Sequence, residues 1–160
     1  MFEDLDKFEA IVRHAHMHTD IDARQEAAQH PFEIRTIHDA FPSEVRNLFD
    51  NGHYAQATFE AYKFIDKLVQ HLARLSDSGF KLMMQAFPET SPLVSLTRCS
   101  SVTEKDEQKG YQFLFAGSVL GIRNPRGHDL VRDTPDQCLD HLSLASLLLR
   151  RLEQAGFSVC

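Results

Sequence analysis

The 160-residue chain is poor in the residues that interrupt helices or cross-link small folds: it has three cysteines, seven glycines, six prolines and no tryptophan. Cys99, Cys138 and Cys160 are odd in number and far apart, which argues against a disulfide framework and a Cys-x-x-Cys metal site. No apolar run approaches the roughly 20 residues that span a bilayer, and the acidic start MFEDLDKFEA does not resemble a secretory signal. We therefore expect reduced thiols, no membrane insertion and a cytoplasmic location.

The chain also lacks a surplus of positive charge. Its formal net charge is -6, with 42% hydrophobic and 25% charged residues. This composition is typical of a folded globular domain and far from that of a disordered chain. Proteins that hold nucleic acid mainly by neutralising phosphates usually present a basic face. Any binding of nucleic acid must therefore be local or brief.

Alternating strand-like runs are nearly absent, whereas apolar residues recur at intervals of three and four, which predicts an all-α fold. The domain division that we expect is an accessory helical segment over residues 1–42, followed by a helical domain over residues 43–157. Within the domain, the pattern and its caps predict a series of helices separated by short breaks and by one exposed polar loop, from Pro88 to about residue 103. The predicted helices cover SEVRNLFDNG (43–52), 53–77, 80–87, 104–123 and 134–156.

Two of these helices carry further predictions. The helix over 104–123 has two apolar stripes, one with Tyr111 and Phe115 and the other with Phe113, Gly117 and Leu120, so it should pack on two sides. The last helix has a strong N-terminal signal, because Thr134 can act as N-cap, Pro135 suits the first helical position and Gln137 can complete a capping box.

The sequence has no Gly-rich phosphate loop, no Gly-x-Ser-x-Gly elbow and no His-Glu-x-x-His, so common nucleotide-binding, acyl-transfer and zinc-protease chemistries lack support. The segment GIRNPRGHDLVRD (121–133) remains, and it concentrates arginines and one histidine between two long helices. Pro125 disfavours helix at Asn124. We therefore expect the helix to end at Arg123, with His128 folding back beside it in a loop.

Such a loop has the groups needed to cleave RNA through attack by the 2′-hydroxyl. That reaction needs a base, an acid and cations that stabilise the phosphate. His128 is the candidate acid or base, Arg123 the candidate phosphate ligand, and Asn124 and Arg126 the candidates for orienting the groups or the backbone. A two-fold dimer would supply a second histidine.

The Arg–His spacing is weak evidence by itself. With eleven arginines and nine histidines, one such pair is expected about 0.6 times by chance, and Arg13 and His18 have the same spacing. A solvated capping loop is the alternative interpretation. His14 and His18 also suit one helix face, which leaves a metal-binding sensor as a third, weaker alternative.

A resemblance adds to this interpretation. The blocks NGHYAQATFEAYK (51–63), GFKLMMQAF (79–87), GIRNPRGH (121–128) and LSLASLLLRRLEQAG (142–156) resemble the Ymh family, which is placed in the HEPN superfamily. The similarity covers roughly residues 44 to 156. It implies an up-down helical bundle of HEPN type, often dimeric, with an Arg-polar…His motif that corresponds here to Arg123, Asn124 and His128.

The resemblance implies a metal-independent endoribonuclease without a cofactor, commonly in toxin–antitoxin or antiviral systems, with RNA, a second copy and an antitoxin or defence protein as partners. It also leaves open a non-catalytic module that binds a nucleotide or a protein. Glu60 and Lys63 are further candidates for the cleft, although a solvated helix face is the simpler interpretation. Gln108 and Lys109 are candidates for holding RNA or for solubilising their helix.

Overall fold

The computed structural model describes residues 7–9, 11 and 29–159, and within that part of the chain it contains helices and no strand. The predicted all-α bundle is thus confirmed. Seven α-helices and one π-helical turn have defined bounds. They are α1 (Pro31–Ile34), α2 (Ser43–Asp50), α3 (Tyr54–Ala73), α4 (Gly79–Ala86), α5 (Val102–Ser118), the π-helical turn Val119–Arg123, α6 (Asn124–His128) and α7 (Pro135–Gln154).

The chain forms two compact units, residues 1–36 and 37–160, so the division falls six residues before the one we expected from the sequence. The described part of the first unit includes the short helix α1. His30 caps this helix, since its Nδ1 accepts the N–H of Phe32 at 3.1 Å. His14 and His18 lie outside the described residues.

Helix α3 is the central element of the second unit, where it contacts α2, α4, α6, α7 and the π-helical turn. Ala57, Ala61 and Ile65 on α3 are fully buried, as are Leu142 and Leu149 on α7. The small α3 residues let neighbouring helices approach closely, whereas the larger side chains fill the remaining space. The core therefore surrounds α3, which positions every element of the candidate site.

Helix caps are well formed in this unit. The predicted capping box of α7 is confirmed: Thr134 Oγ1 accepts the N–H of Gln137 at 3.2 Å, and Gln137 Oε1 accepts the N–H of Thr134 at 2.9 Å. Helix α5 has a second capping box, between Ser101 and Glu104, that the sequence prediction missed. This capping box gives hydrogen-bond partners to backbone N–H groups in the first turn. Helix α5 therefore begins at Val102, two residues before the predicted start.

The loop before α5 is mostly exposed or half-buried, as expected, but two of its side chains enter the core. Val94 is fully buried and Leu96 nearly so. Gln108, also fully buried, accepts the Leu96 N–H at 2.7 Å and donates to the carbonyl oxygens of Val94 (3.0 Å) and Phe87 (3.3 Å). Gln108 therefore links the loop to α5 by hydrogen bonds. Its predicted roles in RNA binding or helix solubility were wrong, because the side chain is buried.

Helix α5 buries only one of its two apolar stripes within the chain. Phe115 is fully buried and stacks on Phe87, with ring centroids 4.4 Å apart. The second stripe, which includes Phe113 on α5 and Leu120 in the following π-helical turn, is exposed, with each of these side chains 53% exposed. None of the helices in the described residues is long and apolar enough to cross a membrane.

Candidate functional site

The segment that carries Arg123 and His128 is helical rather than a loop. Asn124 has φ -61° and ψ -45°, and its N–H donates to the carbonyl of Val119, five residues back. Pro125 explains the widened turn, because a proline ring in an α-helix collides with the carbonyl four residues earlier, here that of Gly121. The π-helical turn relieves that collision. The helix therefore continues to His128, and the expected break at Arg123 was wrong.

This helical path changes how Arg123 and His128 relate to each other. Five residues of α-helix correspond to about 140° around the axis and about 7.5 Å along it. Within one chain, His128 therefore does not fold back beside Arg123 as we expected. A site that uses both side chains on one phosphate needs the reach of the arginine or a contribution from a second copy.

The guanidinium of Arg123 rests on carbon atoms. Its central carbon lies 5.5 Å from the centroid of the Phe59 ring on α3. Its Nη1 lies 3.8 Å from the point that a Cβ on Gly79, the first residue of α4, would occupy. Its Nε is buried and has no hydrogen-bond partner among the described residues. Arg123 is thus held in place while hydrogen-bonding capacity remains unused.

His128 and Asn124 lie at opposite ends of α6. His128 is exposed and is the last residue of the helix, and Asn124, the first, is half-buried. Within the described part of the chain, neither side chain has a hydrogen bond or an ion pair. The imidazole of His128 is therefore open to solvent and to any ligand that approaches the end of α6.

Arg126 lies between them and is buried in an ion pair. Its Nε and Nη2 donate to the two carboxylate oxygens of Asp133 at 2.6 and 2.5 Å, and its Nη1 donates to the Ile122 carbonyl at 2.6 Å. The side chains of Arg126 and Asp133 are 8% and 2% exposed. This bidentate pair ties α6 to the segment that leads into α7, so Arg126 is fully engaged within the protein.

His141 on α7 joins the same cluster and was not singled out from the sequence. Arg126 Nη2 lies 3.3 Å from its Nδ1. Since a guanidinium can only donate, that nitrogen accepts and the imidazole is neutral. Burial, followed by the charge of Arg126, lowers the pKa of His141. Asp133 lies 3.9 Å away and acts in the opposite direction, but its two oxygens already accept from Arg126.

Other buried groups line this cluster from α3 and α7. The Tyr62 hydroxyl donates to the His141 carbonyl at 2.9 Å, and burial raises the pKa of that tyrosine. Thr58 donates to Asp133 at 3.3 Å. Burial also raises the pKa of Cys138 to about 11, which leaves its thiol protonated and unreactive at neutral pH.

The remaining predicted residues lie on solvated helix surfaces. Glu60, the residue after Phe59 on α3, pairs with Lys63 at 2.9 Å. Lys109 on α5 pairs with Glu89 at 3.3 Å. Fourteen residues separate Lys109 from Arg123, which is about 21 Å of helix. The structure thus places Glu60 and Lys63 on the helix that contacts Arg123, and Lys109 far along α5.

No group of three or more His, Cys, Asp or Glu side chains in the described residues is arranged to hold a metal ion. The polar groups around α6 are one bidentate ion pair, an unpaired arginine nitrogen, an exposed imidazole and a neutral imidazole. Chemically, Arg123 can bind an anion, and the exposed imidazole of His128 can donate or accept a hydrogen bond.

These features define the protein as a helical bundle with a basic turn between its last two long helices. The chain belongs to the Ymh family (Hypoth_ymh), described as proteins of unknown function, whose sequence pattern matches residues 35–152. No curated protein and no solved structure matches the chain. The match covers α2 to α6 and all but the last two residues of α7, and it includes the residues around Arg123 and His128.

Proposed function

We propose that this protein is a metal-independent endoribonuclease of the HEPN type that acts as a homodimer in the cytoplasm. The observation that carries the proposal is the arrangement around α6. A buried ion pair anchors the short helix, Arg123 has an unpaired buried nitrogen, and His128 is exposed and free of partners within the described residues. Such pre-organisation is what electrostatic stabilisation of a phosphate requires.

In the proposed reaction, the 2′-hydroxyl oxygen attacks the adjacent phosphorus and the bond to the 5′-oxygen breaks. One His128 accepts the proton of the 2′-hydroxyl, and a second group protonates the departing 5′-oxygen. Arg123 stabilises the charge that accumulates on the phosphate oxygens. The products carry a 2′,3′-cyclic phosphate and a 5′-hydroxyl, so the reaction consumes no water and no co-reactant.

A second copy of the chain supplies the second proton-transfer group. The α-helical geometry of α6 separates Arg123 from His128 around the helix axis, and one imidazole cannot serve both ends of the reaction at once. The exposed stripe of Phe113 and Gly117 on α5 and Leu120 in the π-helical turn is a suitable surface for the two-fold contact. A toxin–antitoxin or antiviral setting, with an antitoxin or defence protein as partner, fits this activity.

In this mechanism Arg126 anchors α6 to the rest of the chain, because its three nitrogens already donate to Asp133 and to the Ile122 carbonyl. Asn124 stays a candidate for orienting the phosphate, since its amide is free within the described part of the chain. Glu60 and Lys63, which pair with each other on α3, are weaker candidates for RNA contacts near Phe59. Lys109 could reach RNA only at a point far from Arg123 on its own chain.

A non-catalytic dimer that binds a nucleotide or a protein through the same surface is the alternative. The net charge of -6 favours it, since stable RNA binding usually relies on an extended basic face. So does the separation of Arg123 from His128 within one chain.

Cleavage of RNA in the presence of EDTA discriminates between these functions. We expect wild-type protein to cut RNA and leave cyclic-phosphate ends, and both Arg123→Ala and His128→Ala to lose the activity while keeping their helical content. Arg98→Ala and His71→Ala change exposed residues of the same types elsewhere and should retain it. Activity that requires a divalent metal, or that survives both site substitutions, would refute the proposed mechanism.

A further inference from the structure

Phe59 is the residue that touches both ends of the candidate site. Its ring lies under the Arg123 guanidinium, with 5.5 Å between the arginine's central carbon and the ring centroid. The edge of the same ring faces Gly127, the residue before His128. One aromatic side chain from α3 therefore contacts the arginine and the turn that carries the histidine.

Gly127 is a glycine because of space rather than backbone conformation. Its φ is not positive, in contrast to Gly52, Gly79 and Gly156. A Cβ at position 127 would lie 2.9 Å from Cε2 of Phe59, closer than real Cβ contacts allow. A side chain here would push either α6 or the ring, and the ring also supports Arg123.

We propose that Phe59 is a positioning residue that sets the placement of Arg123 relative to His128, with Gly127 leaving the space that its ring needs. This inference rests on the proposed function for its catalytic consequence, but the packing itself can be measured without RNA. Phe59 contacts no reacting atom. It acts by holding the two side chains whose separation the reaction depends on.

The alternative assignment is that Phe59 simply fills space. A space-filling residue also couples to residue 127 in stability, because the two are in contact, but it leaves the His128 ring signal and the single-turnover rate of the folded protein unchanged. A positioning contact predicts coupling in those two readouts as well: Gly127→Ala is harmful when the Phe59 ring is present and much less so when Phe59→Leu has removed the ring edge. Residues in direct contact show such non-additivity, whereas distant ones do not.

The experiment is a double-mutant cycle with wild type, Gly127→Ala, Phe59→Leu and the double variant. Gly110→Ala is the matched control, because a Cβ there meets nothing within 4 Å. The first readout is the NMR signal of the His128 ring Cε1–H, and the second is the single-turnover rate of RNA cleavage in EDTA. Circular dichroism verifies that each variant is folded.

We expect Gly127→Ala to shift the His128 ring signal and to slow cleavage about 10- to 100-fold, the scale of a misplacement near 1 Å. In the Phe59→Leu background the same change should cause a much smaller shift and loss. Gly110→Ala should alter neither readout. Equal effects of Gly127→Ala in both backgrounds would overturn the positioning role and leave the proposed function standing.

Two other outcomes are also decisive. If wild-type protein does not cleave RNA, the nuclease proposal fails, and the coupling in the His128 signal alone decides the positioning role. If Gly127→Ala does not fold, Phe59→Leu decides it: loss of the ring current should move the Gly127 Hα and His128 ring signals. Unmoved signals in a folded Phe59→Leu protein would overturn the inference.

Discussion

The buried ion pair between Arg126 and Asp133 allows a quantitative prediction. Asp133→Ala removes the carboxylate that accepts two short hydrogen bonds and leaves a guanidinium that is 8% exposed without its counter-charge. Removal of one partner of a buried pair typically costs about 3–5 kcal/mol. For a unit of this size we expect a decrease of about 10 to 20 °C in Tm.

Variants of graded chemistry test whether charge or volume is responsible. Asp133→Asn keeps one acceptor for Arg126 and should cost less, about 1.5–3 kcal/mol, the range for a hydrogen bond to a charged group. The double variant Arg126→Met/Asp133→Leu removes both charges, and it should be markedly more stable than Asp133→Ala alone. Asp129→Ala, an exposed carboxylate nearby, should change stability by no more than about 0.5 kcal/mol.

The measurement is the free energy of unfolding from urea titrations followed by circular dichroism, with Tm as a second readout. If Asp133→Ala were as stable as Asp129→Ala, the buried ion pair would not anchor α6. If the apolar double variant were no better than Asp133→Ala, the loss would come from packing rather than from an uncompensated charge.

Three further predictions concern other parts of the structure. Because the pKa of His141 is lowered in the folded protein, the unfolded chain binds this proton more readily. The free energy of unfolding should therefore decrease as the pH falls below about 6.5, histidine's ordinary pKa. In urea titrations at several pH values, this decrease should be smaller for His141→Gln. Gln108→Leu leaves the Leu96 N–H and the Val94 carbonyl without their hydrogen-bond partner. It should lower the free energy of unfolding by about 2–4 kcal/mol and make the preceding loop more sensitive to protease. Gln85→Leu, at an exposed site, should have neither effect. Phe113→Glu should convert the proposed dimer to a monomer in sedimentation velocity, and Leu93→Glu, at an equally exposed loop position, should not; dimers that persist with Phe113→Glu would rule out this face of α5.

Periodicity and caps predicted the helices because their signals are local. Thr134, Pro135 and Gln137 specify the start of α7 within four residues, and the structure has that start. The loop before α5 could not be predicted in the same way. The burial of Val94 and Leu96 depends on Gln108, whose amide reaches groups 12 to 21 residues earlier in the chain.

In the candidate site, too, the residues could be predicted from the sequence but their arrangement could not. Arg123, Asn124 and His128 form a recognisable cluster of polar residues in the sequence, but their positions in space depend on the backbone path through Pro125. Pro125 indicated a break, and the chain instead widened one turn and continued. The partners that shape the site, Phe59 and His141, come from other helices, and no spacing in the sequence identifies them.

The most direct test of the proposed nuclease compares two RNA oligonucleotides in EDTA that differ by one atom. One is all-RNA, and the other has a 2′-deoxy sugar on the 5′ side of the cleavage site, which removes the attacking oxygen. We predict cleavage of the first, with a 2′,3′-cyclic phosphate end, and none of the second at that position. Equal cleavage of both, or cleavage of neither until a divalent metal is added, would contradict the account.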